Sequence, residues 1–481
     1  MEFEPVIGLE VHAQLLTRSK LFCGCSAQFG APPNSSTCPV CLGLPGALPV
    51  LNQAAVAMAV RTALALGCKV GESSIFARKN YFYPDLPKGY QISQYDRPLG
   101  EHGQVEVLSG ERTAGGQIVN RRPKTFHITR IHMEEDAGKS VHEGLPEAGT
   151  KSYVNLNRSG VPLVEIVSEP DFRSSQEAYD YLTQLRKILL YLGVCDGNME
   201  EGSLRCDANV SVRPKGAEKL GTRVEIKNLN SFRFLQKALD FEIERQVRVV
   251  SEGGRIDQET RLWDENRGST FVMRSKEEAH DYRYFPEPDL LPLKLSSAWI
   301  EDLKGSLPEL PQAKLERFMG QYQLSVDDAL FITSTFSRAE YFEESVRGMD
   351  NPRVVANTLK NFGIAIEDSL VKPRQLAALI GFVASGKISS SMSKGVLEEM
   401  CESGEDPAAV IQRRGLDQIS DEQGLLALIQ KVKAANPKQL ADYRSGKDKL
   451  FGYFVGQVMK EAQGRANPKV LNELLQKELG Q

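Results

Sequence analysis

Three stretches of the chain alternate residue by residue between apolar and ionisable side chains, and that period limits its possible folds more than any other feature. Ile7-Gly8-Leu9-Glu10-Val11-His12-Ala13-Gln14-Leu15 puts Glu10, His12 and Gln14 on one face and Ile7, Leu9, Val11 and Leu15 on the other. The stretch from Ser203 to Val212 repeats the pattern with Arg205, Asp207 and Asn209, and Arg223-Val224-Glu225-Ile226-Lys227 does so again. Successive side chains on a strand point to opposite faces. The three stretches therefore predict a sheet with one apolar face and one face of acids, bases and a histidine. A solvated sheet face and a catalytic surface both fit this alternation. An ordinary wet face, though, would carry Thr, Lys and Ser in place of a histidine and repeated carboxylates.

At 481 residues the chain is too long for one core, and about three domains are expected. Hydrophobic residues make up 41% and charged residues 25%, as in a globular protein, and no run of apolar residues is long enough to span a membrane. The acidic start, Met1-Glu2-Phe3-Glu4-Pro5, enters a strand at once, so no signal or transit peptide is expected and the predicted location is cytoplasmic. There the eight cysteines would be reduced thiols or metal ligands. A net charge of −4 argues against a wholly basic nucleic-acid binder and leaves local patches open.

Residues 1–293 read as an α+β domain with a mostly antiparallel sheet, because strands are not regularly interleaved with helices. One helix is signalled by a Ser174/Glu177 capping box, an apolar stripe through Leu182, Leu185 and Leu189, and Gly193 at its end. Another follows Ser231, and the Pro-rich stretch from Tyr284 to Pro292 reads as the exit from this domain. Helical periodicity dominates residues 294–407, with a second boundary at Gly404-Glu405-Asp406-Pro407. Residues 408–481 read as a small helical tail whose last helix has Asn467 as cap and Pro468 at its first position. From Ala427 onward ten Lys/Arg face five Asp/Glu, with Tyr443, Phe451, Tyr453 and Phe454 among them. Such a tail suggests a polyanion contact, and a solvated helix surface accounts for the charge equally well.

The segment richest in chemistry is His132-Met133-Glu134-Glu135-Asp136-Ala137-Gly138-Lys139-Ser140. Its Gly-Lys-Ser is not a phosphate-binding loop, because Met133 stands where that motif needs a glycine and three carboxylates would face the phosphates. The same acids make sense around a hard cation such as Mg²⁺, which prefers oxygen ligands. Glu134 and Glu135 cannot both point inward on a regular strand. Glu165, in an otherwise apolar run, adds an acid that requires a partner. A salt bridge explains each acid singly, whereas a divalent ion gathered by Glu10, His12, Glu135 and Glu165 explains them together.

Cys23-Gly24-Cys25 and Cys38-Pro39-Val40-Cys41 are two close thiolate pairs in Gly/Pro-rich loops, the pattern of a closed tetrahedral zinc site with a structural role. Cys68, Cys195, Cys206 and Cys401 are isolated and read as core. Arg78-Lys79-Asn80-Tyr81-Phe82-Tyr83-Pro84-Asp85 offers charge and stacking to an RNA end, and a packed turn explains its aromatics too. Ser391-Met392-Ser393-Lys394 lacks the companion motifs of penicillin-recognising enzymes. No amidase pattern is present either, so this chain is not expected to release ammonia from an amide itself.

Taken together, Val6 to His12, Arg78 to Asp85, His132 to Ser140, Glu200 to Asn209 and Asp281-Tyr282-Arg283-Tyr284-Phe285-Pro286-Glu287-Pro288-Asp289 resemble the B subunits of the bacterial aspartyl/glutamyl-tRNA amidotransferases, the GatB family. The likeness runs from the first strand to the closing helix. It implies a cradle-shaped catalytic domain, a helical domain and a tail that engages tRNA, for which Lys447, Lys449, Lys460, Arg465 and Lys469 are the expected cations. It also implies a reaction. ATP phosphorylates the side-chain carboxylate of Glu-tRNA(Gln) or Asp-tRNA(Asn), and ammonia displaces the phosphate. The ammonia would come from a glutaminase (amidase) subunit of the GatCAB complex, and the small GatC protein would complete the heterotrimer. Carried onto this sequence, the family's Mg²⁺ site falls on Glu10, His12, Glu135 and Glu165, with Lys79, Glu134, Arg205 and Asp207 in the same pocket. Glu134 and Asp207 are the candidate proton acceptors in the ammonia step. The rival from another class is a non-catalytic tRNA- or partner-binding zinc protein, which leaves the His/Glu/Asp sheet face without a purpose. An archaeal-type paralogue acting only on Glu-tRNA(Gln) would carry an inserted domain for which this chain has no room.

Overall fold

The computed structural model describes residues 2–113, 118–141, 147, 150–275, 282–362, 365–416, 422–462, 466 and 468–480; for Arg274, Ser275, Pro468 and Lys469 it describes the backbone alone. The chain forms two compact units, Met1–Ala313 and Lys314–Gln481.

The first unit is built on a sheet of nine strands among the described residues: β1 (Phe3–Gln14), β2 (Lys69–Val70), β3 (Gly100–Arg112), β4 (Ile118–Glu135), β5 (Pro162–Ser168), β6 (Leu204–Pro214), β7 (Val224–Lys227), β8 (Glu259–Asp264) and β9 (Ser269–Ser275). Their spatial order is β9-β8-β7-β6-β1-β5-β4-β3-β2. Neighbours pair antiparallel except β7 and β8, which run parallel. The α+β class expected from the spacing of strands and helices is the class observed.

The sheet's two faces follow the alternation. Ile7, Leu9, Val11 and Ala13 of β1, Val164 and Ile166 of β5, Ile131 and Met133 of β4, and Cys206, Ala208 and Val210 of β6 are buried in one core with helices α1 (Gln53–Ala65), α2 (Ser175–Leu192) and α3 (Phe232–Ser251). Each fully buried aliphatic side chain there contributes about 1.5–3 kcal/mol. A one-residue slip of register would turn the whole ionic face inward, so the apolar half of the pattern locks the polar half in place.

Helix α2 starts where its cap residues dictate. The Ser174 hydroxyl accepts from the Glu177 N–H at 3.2 Å, and Glu177 reaches back to the Arg173 N–H at 2.7 Å. Gly193 ends the helix in the left-handed conformation at φ 63°. A three-stranded sheet, Phe76–Asn80, Tyr90–Gln94 and Phe285–Pro286, lies in the same unit, and the Pro-rich stretch supplies one of its strands. Asn80 fixes that stretch, donating from its backbone to the Tyr282 carbonyl at 2.9 Å and from its side chain to the Arg283 carbonyl at 2.8 Å.

The second unit is helical in its described residues. Ser325, Thr335 and Ser389 cap its helices, and Gly404 and Gly415 terminate two of them in the left-handed region. Leu425, Ile429, Phe454, Val458, Leu471 and Leu475 belong to a core cluster drawn from the last four helices, Glu422–Ala435, Pro437–Arg444, Leu450–Glu461 and Pro468–Gly480. Asn467, the expected cap of the last helix, lies outside the described residues. No described helix is long and apolar enough to cross a membrane.

Candidate active site

The ionic face of the sheet floors a cleft of about 580 Å³. One register row crosses four strands: Arg205 of β6 opposes His12 of β1, His12 opposes Glu165 of β5, and Glu165 opposes His132 of β4. Glu134 joins this row from one step further along β4. The His12 Nε2 lies 3.5 Å from Glu134 Oε1 and 3.4 Å from Glu165 Oε2, while His132 Nε2 lies 3.0 Å from the same Glu165 oxygen. His12, Glu134 and Glu165 each offer one ligand atom, and these atoms lie within 4.8 Å of one another.

Burial opposes a charge on His12, but the Glu165 carboxylate, aided by Glu134, outweighs it and raises the ring to about 9. Glu165 runs the other way: burial disfavours its charge, yet His132 and His12 hold it well below the usual carboxylate range. Glu10, on the same face, is raised first by burial and then by Glu165, Glu225 and Asp207. Negative charge is thus concentrated at one point of the floor. Glu134 is only 2% exposed, and its Oε2 is buried without a hydrogen-bond partner. A carboxylate oxygen in that state is costly unless a cation meets it. These residues fit a divalent ion, and the proton taken up by His12 fills the same electrostatic role.

The surrounding charges are mostly matched. Asp136 accepts from Arg205 at 3.0 Å and from Gln14 at 2.9 Å, with Arg158 at 3.5 Å. Burial works against its charge and these cations prevail, so its carboxyl lies below the ordinary value. Lys227 bonds Asp207 at 2.6 Å and Glu225 at 2.9 Å. Lys79 reaches over the cleft with its ammonium 5.0 Å from the centre of the Tyr282 ring. Burial disfavours the charge on Lys79, and Glu134, Tyr284 and Glu165 overcome that and raise it. Tyr81 and Tyr282 meet edge to face, and Tyr95 stacks on Tyr284 at 4.1 Å and 7°. The cleft therefore has an ionic floor and one aromatic wall.

Glu135 is a correction to the expected ligand set. It faces the opposite side of β4, where it is ion-paired to Lys88 and accepts the Ile92 N–H at 2.9 Å. Strand alternation is the reason: Ile131 and Met133 point into the core, so His132 and Glu134 must point into the cleft and Glu135 cannot. Glu10 lines the cleft next to the ion group and not within it, its Oε1 accepting from the Asn209 amide at 2.9 Å. Lys79, Glu134, Arg205 and Asp207 all line the same cleft. His132, Lys227, Tyr282 and Tyr284 stand in segments quoted from the sequence but were given no role of their own there. The phase of β4 points to His132. Nothing short of the fold brings Tyr282 and Tyr284 to Lys79.

The four cysteines of the two loops converge. The sulfurs of Cys23, Cys25, Cys38 and Cys41 lie within 4.8 Å of one another, and Cys38 and Cys41 are 3.9 Å apart. Tetrahedral zinc–thiolate bonds require sulfurs about 3.8 Å apart. The Cys38 N–H donates to the Cys41 sulfur at 3.1 Å, and Gly43 turns the chain at φ +66° where a Cβ would strike the Lys88 side chain. The Cys41 thiol is drawn down, chiefly by its bond with Cys23. Such a cluster can hold a metal and leaves no coordination position open.

In the second unit, Lys447, Lys449 and Lys460 are exposed, with Lys447 3.1 Å from Asp442. Arg465 and the side chain of Lys469 lie outside the described residues.

An ion-ready carboxylate/histidine floor beneath an aromatic wall, on a mostly antiparallel sheet, is the arrangement of a domain with its own family. A family model described as the GatB/GatE catalytic domain matches residues 5–301, and one described as the GatB domain matches residues 340–479. The chain belongs to the GatB family. It is 53% identical to the B subunit of the aspartyl/glutamyl-tRNA(Asn/Gln) amidotransferase of Trichlorobacter lovleyi over 487 residues, covering 100% of both chains. The proteins of the same name from Carboxydothermus hydrogenoformans and Thermodesulfovibrio yellowstonii are each 53% identical, with 99% of each chain covered.

Proposed function

We propose that this chain activates the side-chain carboxylate of a mischarged aminoacyl-tRNA for amidation, acting on Glu-tRNA(Gln), Asp-tRNA(Asn) or both. The observation that carries this reading is the buried His12–Glu134–Glu165 group, with its unpartnered carboxylate oxygen, on the floor of a cleft with cations and an aromatic wall. Family membership and the names of the relatives support it. A carboxylate is a poor electrophile at neutral pH. One of its oxygens attacks the γ-phosphorus of ATP and ADP leaves; ammonia then adds to the acyl carbon, a proton passes to a base, and phosphate departs.

Each part of the cleft has a task in this scheme. His12, Glu134 and Glu165, with Glu10 beside them, would hold Mg²⁺, which when bound neutralises charge on the transferring phosphoryl group. Lys79 and Arg205 supply fixed positive charge, and the tyrosines offer faces on which an adenine can stack. Asp207, on the same face and outside the ion group, is the acceptor we assign to the ammonium proton. Zinc on Cys23, Cys25, Cys38 and Cys41 would be structural, pinning the loop beside the Lys88–Glu135 pair.

The division into residues 1–293, 294–407 and 408–481 belongs to the same proposal, and the separate core cluster of the last four helices supports a distinct tail. Ammonia would come from glutamine hydrolysed on the glutaminase partner, with the small GatC protein completing the heterotrimer, and the exposed tail lysines would meet the tRNA. A cytoplasmic site of action accords with unpaired thiols and a role in translation.

The test uses the protein with its glutaminase and GatC partners, glutamine, ATP and mischarged tRNA. Expected are ADP release and Gln-tRNA or Asn-tRNA, both lost in His12→Ala and Glu134→Ala. Turnover that survives both substitutions would leave the binding-protein reading standing.

A further inference from the structure

We propose that Arg130 is the residue with which the cleft grips an oxyanion of its substrate. This rests on the functional reading above and extends it to a residue not assigned there. Arg130 lies on β4 two positions before His132 and four before Glu134, so the alternation that aims those two at the cleft aims Arg130 there as well. Its side chain lines the cleft, and its Nε is buried with no hydrogen-bond partner. Three other cations of the cleft are ion-paired: Arg205 and Arg158 to Asp136, Lys227 to Asp207 and Glu225. Among the described residues no carboxylate is paired with the Arg130 guanidinium.

A buried guanidinium donor without an acceptor is an expensive arrangement, and packing alone gives no reason to keep it. The cost is offset once an oxyanion arrives, because the guanidinium fork presents parallel N–H donors to two oxygens of a carboxylate or phosphate. Arg130 is held on a central strand, so its aim is set before the ligand binds. In register, Arg130 opposes Val167, and Val167 opposes Glu10, which sets Arg130 in the row next to that of His12, Glu165 and His132. An oxyanion held there would lie beside the ion group. The nucleotide's phosphates and the side-chain carboxylate of the aminoacyl group both have this chemistry.

Steady-state kinetics of the heterotrimer carrying Arg130→Gln, Arg130→Ala or Arg130→Lys distinguish the two sources. The KM for ATP, or the KM for mischarged tRNA, is expected to rise by about ten- to a hundredfold in Arg130→Gln, the cost of losing charge-assisted hydrogen bonds, with a smaller change in kcat. Which KM moves identifies the oxyanion. Added guanidinium ion should restore part of the rate to Arg130→Ala, an effect that a purely structural role would not produce. Arg130→Lys, which keeps the charge and loses the fork, should fall between wild type and Arg130→Gln. Both KM values staying within about twofold of wild type, or a loss confined to kcat without guanidinium rescue, overturns the proposal. Should Arg130→Gln not fold, Arg130→Lys with an unchanged melting temperature decides by the same KM criterion. A wild-type complex that releases no ADP with mischarged tRNA counts against the functional reading instead.

Discussion

Glu134 and Glu135 are neighbours in sequence, and the pleat gives them opposite fates. Glu134→Gln removes a carboxylate from the ion group and is expected to cut transamidation at least a hundredfold while leaving the melting temperature nearly unchanged. Glu135→Gln leaves the Lys88 ammonium without its partner and is expected to cost about 3–5 kcal/mol of stability, read by chemical denaturation. The opposite pattern, with activity lost in Glu135→Gln alone, would restore Glu135 to the ligand set. Asp136 titrates with a definite sign. Its carboxyl lies below the ordinary aspartate value in the folded protein, so the stability it adds is fully present above 3.8 and is lost as the pH falls through its folded value. Unfolding free energies of wild type and Asp136→Asn should therefore differ by a constant amount at neutral and mildly acidic pH. The gap should close only in strong acid, and one that closed near neutrality would contradict the assignment.

Strands and loops divide the work at the next scale. The period of two in β1, β6 and β7 is readable because those strands have one wet face, so the sequence carries both the element and its orientation. β4 is less open: it ends in two consecutive acids, Glu134 and Glu135, and only the core positions Ile131 and Met133 reveal which of them faces the cleft. Of the aromatic wall only the Tyr81 stretch is readable, since Tyr282 reaches the cleft through hydrogen bonds to Asn80, far away along the chain. The Cys loops are readable from spacing alone, because tetrahedral thiolate ligation demands two close pairs. Cys41→Ser is expected to release zinc and lower the melting temperature by several degrees, whereas Cys68→Ser, whose thiol is buried in the core, retains the metal. Metal analysis of both variants checks this, and equal zinc content would refute it.

Across the whole molecule, the proposed function asks an acidic chain to meet a polyanion, which separated charges would allow. The cleft matches most of its acids with cations, while Lys447 and Lys449 stand exposed in the turn before the helix Leu450–Glu461 and Lys460 stands exposed on that helix. Reversing those three to Glu should raise the KM for mischarged tRNA and flatten its salt dependence, leaving the KM for ATP unchanged, because each lost phosphate contact removes a released counterion. Equal changes in both constants would place the effect elsewhere. The Pro-rich stretch after Tyr284 reads by composition as the exit from the first domain, and Glu287 within it is buried and bonded twice to Arg78 at 2.8 Å, which composition does not show.

The central claim is that the cleft transfers a phosphoryl group onto a side-chain carboxylate. Isotope transfer tests it most directly: mischarged tRNA labelled with ¹⁸O in the Glu or Asp carboxylate is converted by the heterotrimer, and the released inorganic phosphate is analysed by mass. One ¹⁸O per phosphate is expected from wild type, with both label transfer and product absent in Glu134→Gln. Amide formed by wild type with unlabelled phosphate would contradict the account.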